Sequence, residues 1–211
     1  MWVPFELGRP FGAPGDAAFQ NKVLRALLAL FERQDGPVIL EDFDEDPPGG
    51  HSYDQSGWSC PVSFPKPKGE TESEILREIL EEIGQLAPWY NLAIDERGRS
   101  TFGVAKLSIE EAVRFMARFL DGTPENPRDD ITLGETLRFV CEDIKMWYFE
   151  AATAKPGTTN SRAVADWFWG ETAAGNLFLA VYQKCVGHED KGVRHVANSQ
   201  FIPRAQEHRL T

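Results

Sequence analysis

The chain has 211 residues, of which 42% are hydrophobic and 26% charged; this ordinary globular composition excludes wholesale disorder. Lys and Arg number 22 against 33 Asp and Glu, and the resulting net charge of −11 argues against binding to nucleic acid or to an anionic membrane surface. No apolar run approaches the roughly 20 residues that span a bilayer, and residues 1–15 lack the basic and apolar regions of a secretory signal.

The first 43 residues predict a small strand–helix–strand unit. Residues 2–7 favour an extended edge strand, because Pro4 has no N–H to donate to a sheet. Asp16 is placed to cap a helix over residues 17–33, which has a broad apolar face. Residues 38–40 then predict a short buried strand, so that the unit is βαβ-like.

Residues 44–70 predict a long loop, and residues 71–211 predict a helical bundle. Three capping boxes each precede helical periodicity, and a Pro-Gly pair precedes a longer apolar stripe. The region between the first two capped helices predicts a β-hairpin at residues 90–106. The architecture is therefore mainly α and forms one compact domain overall. The five predicted helices cover residues 72–86, 109–120, 133–153, 162–186 and 191–199.

Two acidic residues fall on apolar stripes of the predicted bundle. Glu142 lies three residues after Phe139, and Glu171 lies seven residues before Phe178. A buried carboxylate must be paired, hydrogen-bonded or protonated, so one hypothesis is a bundle-interior site in which Glu142 and Glu171 act as catalytic acid and base or as metal ligands. The alternative is that each acid pairs with a structural arginine, the candidates being Arg114, Arg118, Arg138 and Arg162.

Metal and aromatic signals give fewer candidates. The chain has no Glu-x-x-His motif, and its three cysteines lack paired spacing, so neither a di-metal centre nor a zinc site is predicted; the sequence does not identify a cofactor and leaves open whether a metal is bound. Trp167 and Trp169 could line a pocket for an aromatic or cationic ligand, or could serve as a core residue and a partner-surface residue respectively.

The predicted long loop contains His51 and Cys60. A cysteine-dependent enzyme would use Cys60 as its nucleophile and His51 as its base; the alternative is that Cys60 is an ordinary thiol. Cys60, Cys141 and Cys185 are an odd number of widely spaced cysteines, which is typical of a reducing compartment and predicts a cytoplasmic protein.

The turn before the first helix is the most patterned stretch of the chain. Its glycines at positions 8, 12 and 15 do not form a dinucleotide fingerprint, and no P-loop lysine follows. The turn places Arg9 and backbone N–H groups near a helix N-terminus, where they could bind an anionic ligand, although Asp16 at the same terminus opposes this.

The same turn carries a family resemblance. The string Leu7-Gly8-x-Pro10-Phe11-Gly12-x-Pro14-Gly15-Asp16, continued by Gln20, Val23-Leu24 and Ala29-Leu30, resembles a C-terminal segment of the selenoprotein B family of glycine, sarcosine, betaine and D-proline reductases. The resemblance covers residues 7–31 only. It implies a protein that works beside such a reductase; the family's redox centre is not identified here, because Cys60 has no second cysteine nearby.

The first functional hypothesis is therefore a small or accessory subunit of a two-component cytoplasmic enzyme with reductase-like chemistry. Its expected partner is another protein or a second copy of the chain, and neither nucleic acid nor a membrane is expected. The alternatives are a self-sufficient enzyme built on Glu142 and Glu171 and a cysteine-dependent enzyme built on Cys60.

Overall fold

A computed structural model describes residues 1–3, 5, 10–12, 15–36, 38–45, 72–155 and 161–210. The chain divides into two compact units, Met1–Asp54 and Gln55–Thr211. The described residues are mainly helical, as the sequence predicts. The predicted loop over residues 44–70 lies almost wholly outside them.

The N-terminal unit is built around helix α1, Ala17–Ala29. The Asp16 carboxylate accepts a hydrogen bond from the Phe19 backbone N–H at 3.0 Å and so caps the first turn. Phe19 and Val23 on the inner face of the helix pack with Phe43, and Phe5 completes an aromatic cluster with ring centroids 5.6–6.0 Å apart. A 3₁₀ turn, Leu30–Glu32, continues the helix.

The predicted βαβ-like unit is wrong in its strands. Within the described part of this unit, Trp2 and Asp42 form an isolated parallel bridge and no strand is present. Trp2 donates its N–H to the Glu41 carbonyl at 2.8 Å, and Phe43 donates to the Trp2 carbonyl at 2.9 Å. Val38 is 99% exposed, so the apolar run at residues 38–40 is not a buried strand.

The second unit contains six α-helices in its described residues. The capping boxes at Ser108–Glu111 and Thr132–Glu135 are both present, and the helices begin where they predict. Two 3₁₀ turns, Arg118–Leu120 and Arg204–Arg209, follow the third and the seventh helix of the chain. The helices are α2 Glu72–Arg97, α3 Ile109–Ala117, α4 Leu133–Thr153, α5 Ser161–Glu171, α6 Ala173–Cys185 and α7 Lys191–Gln200.

Helix α2 overturns the predicted hairpin. It continues through the exposed Pro88 to Arg97 instead of ending at residue 86. Tyr90 stacks on Trp147 with ring centroids 5.1 Å apart, and Ala93 is buried, so tertiary packing holds the helix beyond the proline. Gly98, at φ +65°, ends α2 by donating its N–H to the Ile94 carbonyl at 2.8 Å.

The helix predicted over residues 162–186 is broken at Thr172. The Thr172 hydroxyl donates to the Phe168 carbonyl at 2.7 Å and accepts the Gly175 N–H at 2.9 Å, which ends α5 and caps α6. A Cβ on Gly175 would lie 2.1 Å from the Phe168 carbonyl oxygen, so only glycine fits where the helices meet.

Small residues also set how α4 and α7 pack. A Cβ on Gly134 would lie 2.5 Å from the backbone carbon of Gly192, so the two backbones are in direct contact. Around this crossing the bundle has one continuous apolar core, in which Tyr148, Phe168 and Phe178 are fully buried.

Candidate functional site

The two acids predicted to face the interior do not do so. The Glu142 side chain is 42% exposed and accepts a hydrogen bond from the Lys145 ammonium at 3.1 Å, one helical turn away. Glu171 is exposed at the end of α5. The expected inward placement is therefore wrong for both, and neither pairs with one of the candidate arginines.

The tryptophans are both core residues. Trp167 and Trp169 are each 3% exposed, and the Lys155 ammonium lies 5.1 Å from the Trp167 ring centroid. Trp169 packs edge-on against Phe178 at 5.3 Å. This placement gives Trp167 the predicted core role, but the partner-surface role considered for Trp169 is wrong.

Of the remaining predicted site residues, one lies at the cap of α1 and three lie in segments that are not described. Asp16 uses its carboxylate to cap the helix, as the sequence predicts. Arg9, His51 and Cys60 lie outside the described residues, so their proposed ligand-binding and catalytic roles stay predictions.

The acid that does lie in the interior is Glu82, on α2. Its carboxylate accepts the Ala173 N–H at 2.6 Å, the Ala174 N–H at 3.4 Å and the Tyr148 hydroxyl at 3.0 Å. It therefore caps the N-terminus of α6 from another helix, where the helix dipole favours negative charge.

The environment of Glu82 changes its protonation. Burial raises the pKa of Glu82 to about 7, and the hydrogen bonds from Ala173 and Tyr148 offset only part of that rise. The same burial, with the nearby Glu82 carboxylate, raises the pKa of Tyr148 well above its usual value. Because Glu82 is 4% exposed and makes these three contacts, it holds α2, α4 and α6 together rather than facing a substrate.

Two further buried acids on α4 bind the segment that follows α2. The Asp143 carboxylate accepts backbone N–H groups of Gly103, Val104 and Ala105 at 2.8–3.1 Å. Glu150 accepts the Ser100 hydroxyl at 2.7 Å and both the N–H and the hydroxyl of Thr101 at 2.8 Å.

The same geometry decides how Glu150 titrates. Burial raises the pKa of Glu150, but the hydrogen bonds from Thr101 and Ser100 lower it more, so the pKa lies below its ordinary value. The five residues that donate to these two acids all lie between positions 100 and 105, so Asp143 and Glu150 fasten this segment to α4.

The sequence contains a signal for two of these acids, because each lies at helical spacing between two apolar residues. Glu82 lies three residues after Ile79 and four before Leu86, and Asp143 lies three after Val140 and four before Trp147.

The described cysteines are unsuited to redox or nucleophilic chemistry. Cys141 and Cys185 are both free and buried. Burial raises the pKa of Cys141 far above its usual range and that of Cys185 to about 12, so both thiols stay protonated.

The feature left without a structural role is the outward side of the N-terminal helix. We call Leu24, Leu27, Leu28 and Phe31 the α1 outer face; they are spaced i, i+3, i+4 and i+7. Leu28 is 58% exposed and Phe31 85% exposed. A groove of about 520 Å³ borders this face and is lined in part by Leu27, Phe31, Val38 and Ile39.

A second cavity lies in the bundle. It measures about 610 Å³ and is lined in part by Tyr182, Ile202, Arg204 and Glu207. None of the buried acids borders it. Among the described residues no cluster of three or more His, Cys, Asp or Glu is arranged to hold a metal ion. The described helices include none that is long and apolar enough to cross a membrane.

The chain matches no protein-family model, no curated protein and no solved structure. The α1 outer face with its groove is the candidate site, because it is the described apolar surface that no structural contact explains.

Proposed function

We propose that the protein is the small or accessory subunit of a two-component cytoplasmic enzyme with reductase-like chemistry, and that it binds its partner through the α1 outer face. The observation that carries the proposal is the exposure of this face, including Leu28 and Phe31.

The two faces of α1 differ in what they contact. The inner face, with Phe19 and Val23, builds the small core of the N-terminal unit, whereas the outer face contributes nothing to that core. Large contiguous apolar patches are uncommon on monomeric proteins and mark interaction surfaces. Covering each large apolar side chain contributes about 1.5–3 kcal/mol, so Leu28 and Phe31 together could anchor a specific interface.

The reductase-like part of the proposal is supported by the resemblance. Residues 7–31, which resemble the selenoprotein B family, include the whole of α1 and Phe31. Cys141 and Cys185 are buried and protonated, so the described thiols do not supply reducing equivalents, and the proposal places that chemistry on the partner. The position of Glu142 and Glu171 on the surface does not favour the alternative of an acid/base site inside the bundle.

The test is affinity purification of the tagged chain from its native source, followed by identification of the copurified protein and assay of its reductase activity. The wild type should retain an enzyme whose turnover falls when the chain is removed. The double variant Leu28→Ser/Phe31→Ser should lose it, whereas Leu92→Ser, which alters an exposed apolar residue of the other unit, should retain it. A chain that purifies with no enzyme, or an enzyme indifferent to the double variant, would refute the proposal.

A further inference from the structure

The charges of the N-terminal unit restrict what can cover the α1 outer face. Its described side chains include seven carboxylates and only three cations. Two of the cations are already occupied. Arg33 donates to both oxygens of Asp35 at 3.1 Å and to Glu41 at 2.9 Å, and Lys22 pairs with Glu45.

Acidic groups without a described cation remain in the same unit. Glu32 directly follows Phe31 of the face, and Asp42 lies in the segment that bridges to Trp2; both are exposed, and neither pairs with a described cation. On α1, Arg25 is the one cationic side chain of the described unit that has no ion pair with a described residue. The described unit that carries the apolar stripe therefore has an excess of negative charge.

This excess disfavours a second copy of the chain as the occupant. A symmetric dimer through the face would bring two acidic surroundings together, and like charges across an interface are strongly disfavoured. An anionic lipid surface is disfavoured for the same reason. A partner whose apolar stripe is flanked by Lys or Arg would cover the leucines and pair with the free carboxylates.

The spacing of the stripe indicates the shape of the occupant. Residues at i, i+3, i+4 and i+7 form the seam by which one helix packs on another, and the groove beside Phe31 continues that seam. We infer that the α1 outer face binds an amphipathic helix of the partner whose apolar stripe is flanked by basic residues. This inference rests on the proposed function and adds the chemistry of the partner.

The experiment uses two synthetic amphipathic helical peptides with the same leucine stripe, one flanked by lysine and the other by glutamate. Binding to the full chain is measured by fluorescence anisotropy. The lysine peptide should bind at least tenfold more tightly than the glutamate peptide. Its affinity should fall at least tenfold with Leu28→Ser/Phe31→Ser, several-fold with Glu32→Gln/Asp42→Asn, and not with Leu92→Ser.

Equal binding of the two peptides would overturn the inference, as would lysine-peptide binding that the double serine variant leaves unchanged. A homodimer that the same variant dissociates, detected by analytical ultracentrifugation, would also overturn it. Circular dichroism melts verify that each variant is folded, and Phe31→Ser alone repeats the test with a smaller change. If an enzyme copurifies through this face while the lysine peptide does not bind, the inference fails and the proposed function survives. If the lysine peptide binds to this face but no enzyme copurifies, the proposed function alone is refuted.

Discussion

Replacing Glu82 by Gln should remove a specific pH dependence from the stability of the protein. The pKa of Glu82 is about 7 in the folded chain against an ordinary value of 4.5, so the folded state binds this proton more tightly than the unfolded state. The stabilisation is complete below the unfolded pKa and is lost as the pH rises through the folded pKa. A difference of this size corresponds to about 3 kcal/mol in total, of which about 2 kcal/mol falls between pH 5.5 and 8.0.

The geometry makes Glu82→Gln a conservative change. The amide oxygen can accept the Ala173 N–H, and the amide nitrogen can donate to the Tyr148 oxygen. The free energy of unfolding would be measured by urea denaturation with tryptophan fluorescence at several pH values. The wild type should lose about 2 kcal/mol relative to the variant over this range.

The control for this prediction is Glu81→Gln, which changes the neighbouring but exposed carboxyl. Its stability difference from the wild type should not vary with pH over the same interval. If the Glu82→Gln difference were also constant, or if the variant lost stability as the pH rose, the account of Glu82 as a buried carboxyl capping α6 would be refuted.

The remaining predictions concern packing, the fastened loop and the thiols. Gly175→Ala should destabilise the protein by more than about 2 kcal/mol, because the new Cβ would clash with the Phe168 carbonyl. The control Gly84→Ala, which has open space around it, should be neutral or stabilise the protein by up to about 1 kcal/mol. Equal effects of the two variants in thermal melts would contradict the close α5–α6 junction. Asp143→Ala leaves three backbone N–H groups without their acceptor and should cost about 3 kcal/mol, with faster amide exchange at Gly103–Ala105; a cost below about 1 kcal/mol would contradict the role of Asp143. Cys141 and Cys185 should react with a thiol reagent at neutral pH only after denaturation, and rapid labelling of either in the native protein would contradict their burial.

Local chemistry explains which elements the sequence predicts well. Ser108 with Glu111 and Thr132 with Glu135 accept hydrogen bonds from backbone N–H groups within a single turn. A few consecutive residues are therefore enough to predict where each of these helices begins. The end of α2 depends instead on Tyr90 stacking against Trp147, a contact between residues distant in the chain. This packing overcomes the low helix propensity of Pro88, and a local sequence pattern carries no information about so distant a contact.

The interior acids show a different limit. Helix α4 is apolar nearly all round, so periodicity alone assigns no unique inner face and allows Glu142 and Asp143 equally. The structure selects Asp143 because the N–H groups of residues 103–105 converge on it. The break at Thr172 likewise depends on Glu82, a residue 90 positions earlier, accepting the first N–H groups of α6.

The short apolar run at residues 38–40 illustrates how composition misleads. Val38 and Leu40 resemble a buried strand, yet both are exposed, and the run lies beside the groove next to the α1 outer face. The apolar run therefore belongs to the exposed surface beside the groove rather than to the core.

Docking through the α1 outer face is tested most directly by the native mass of the chain purified from its own source at low salt, compared between the wild type and Leu28→Ser/Phe31→Ser. We expect the wild type to elute in a larger complex with an enzyme and the variant to elute at the mass of the single chain. If both elute as the single chain, the α1 outer face is not the docking surface of an accessory subunit.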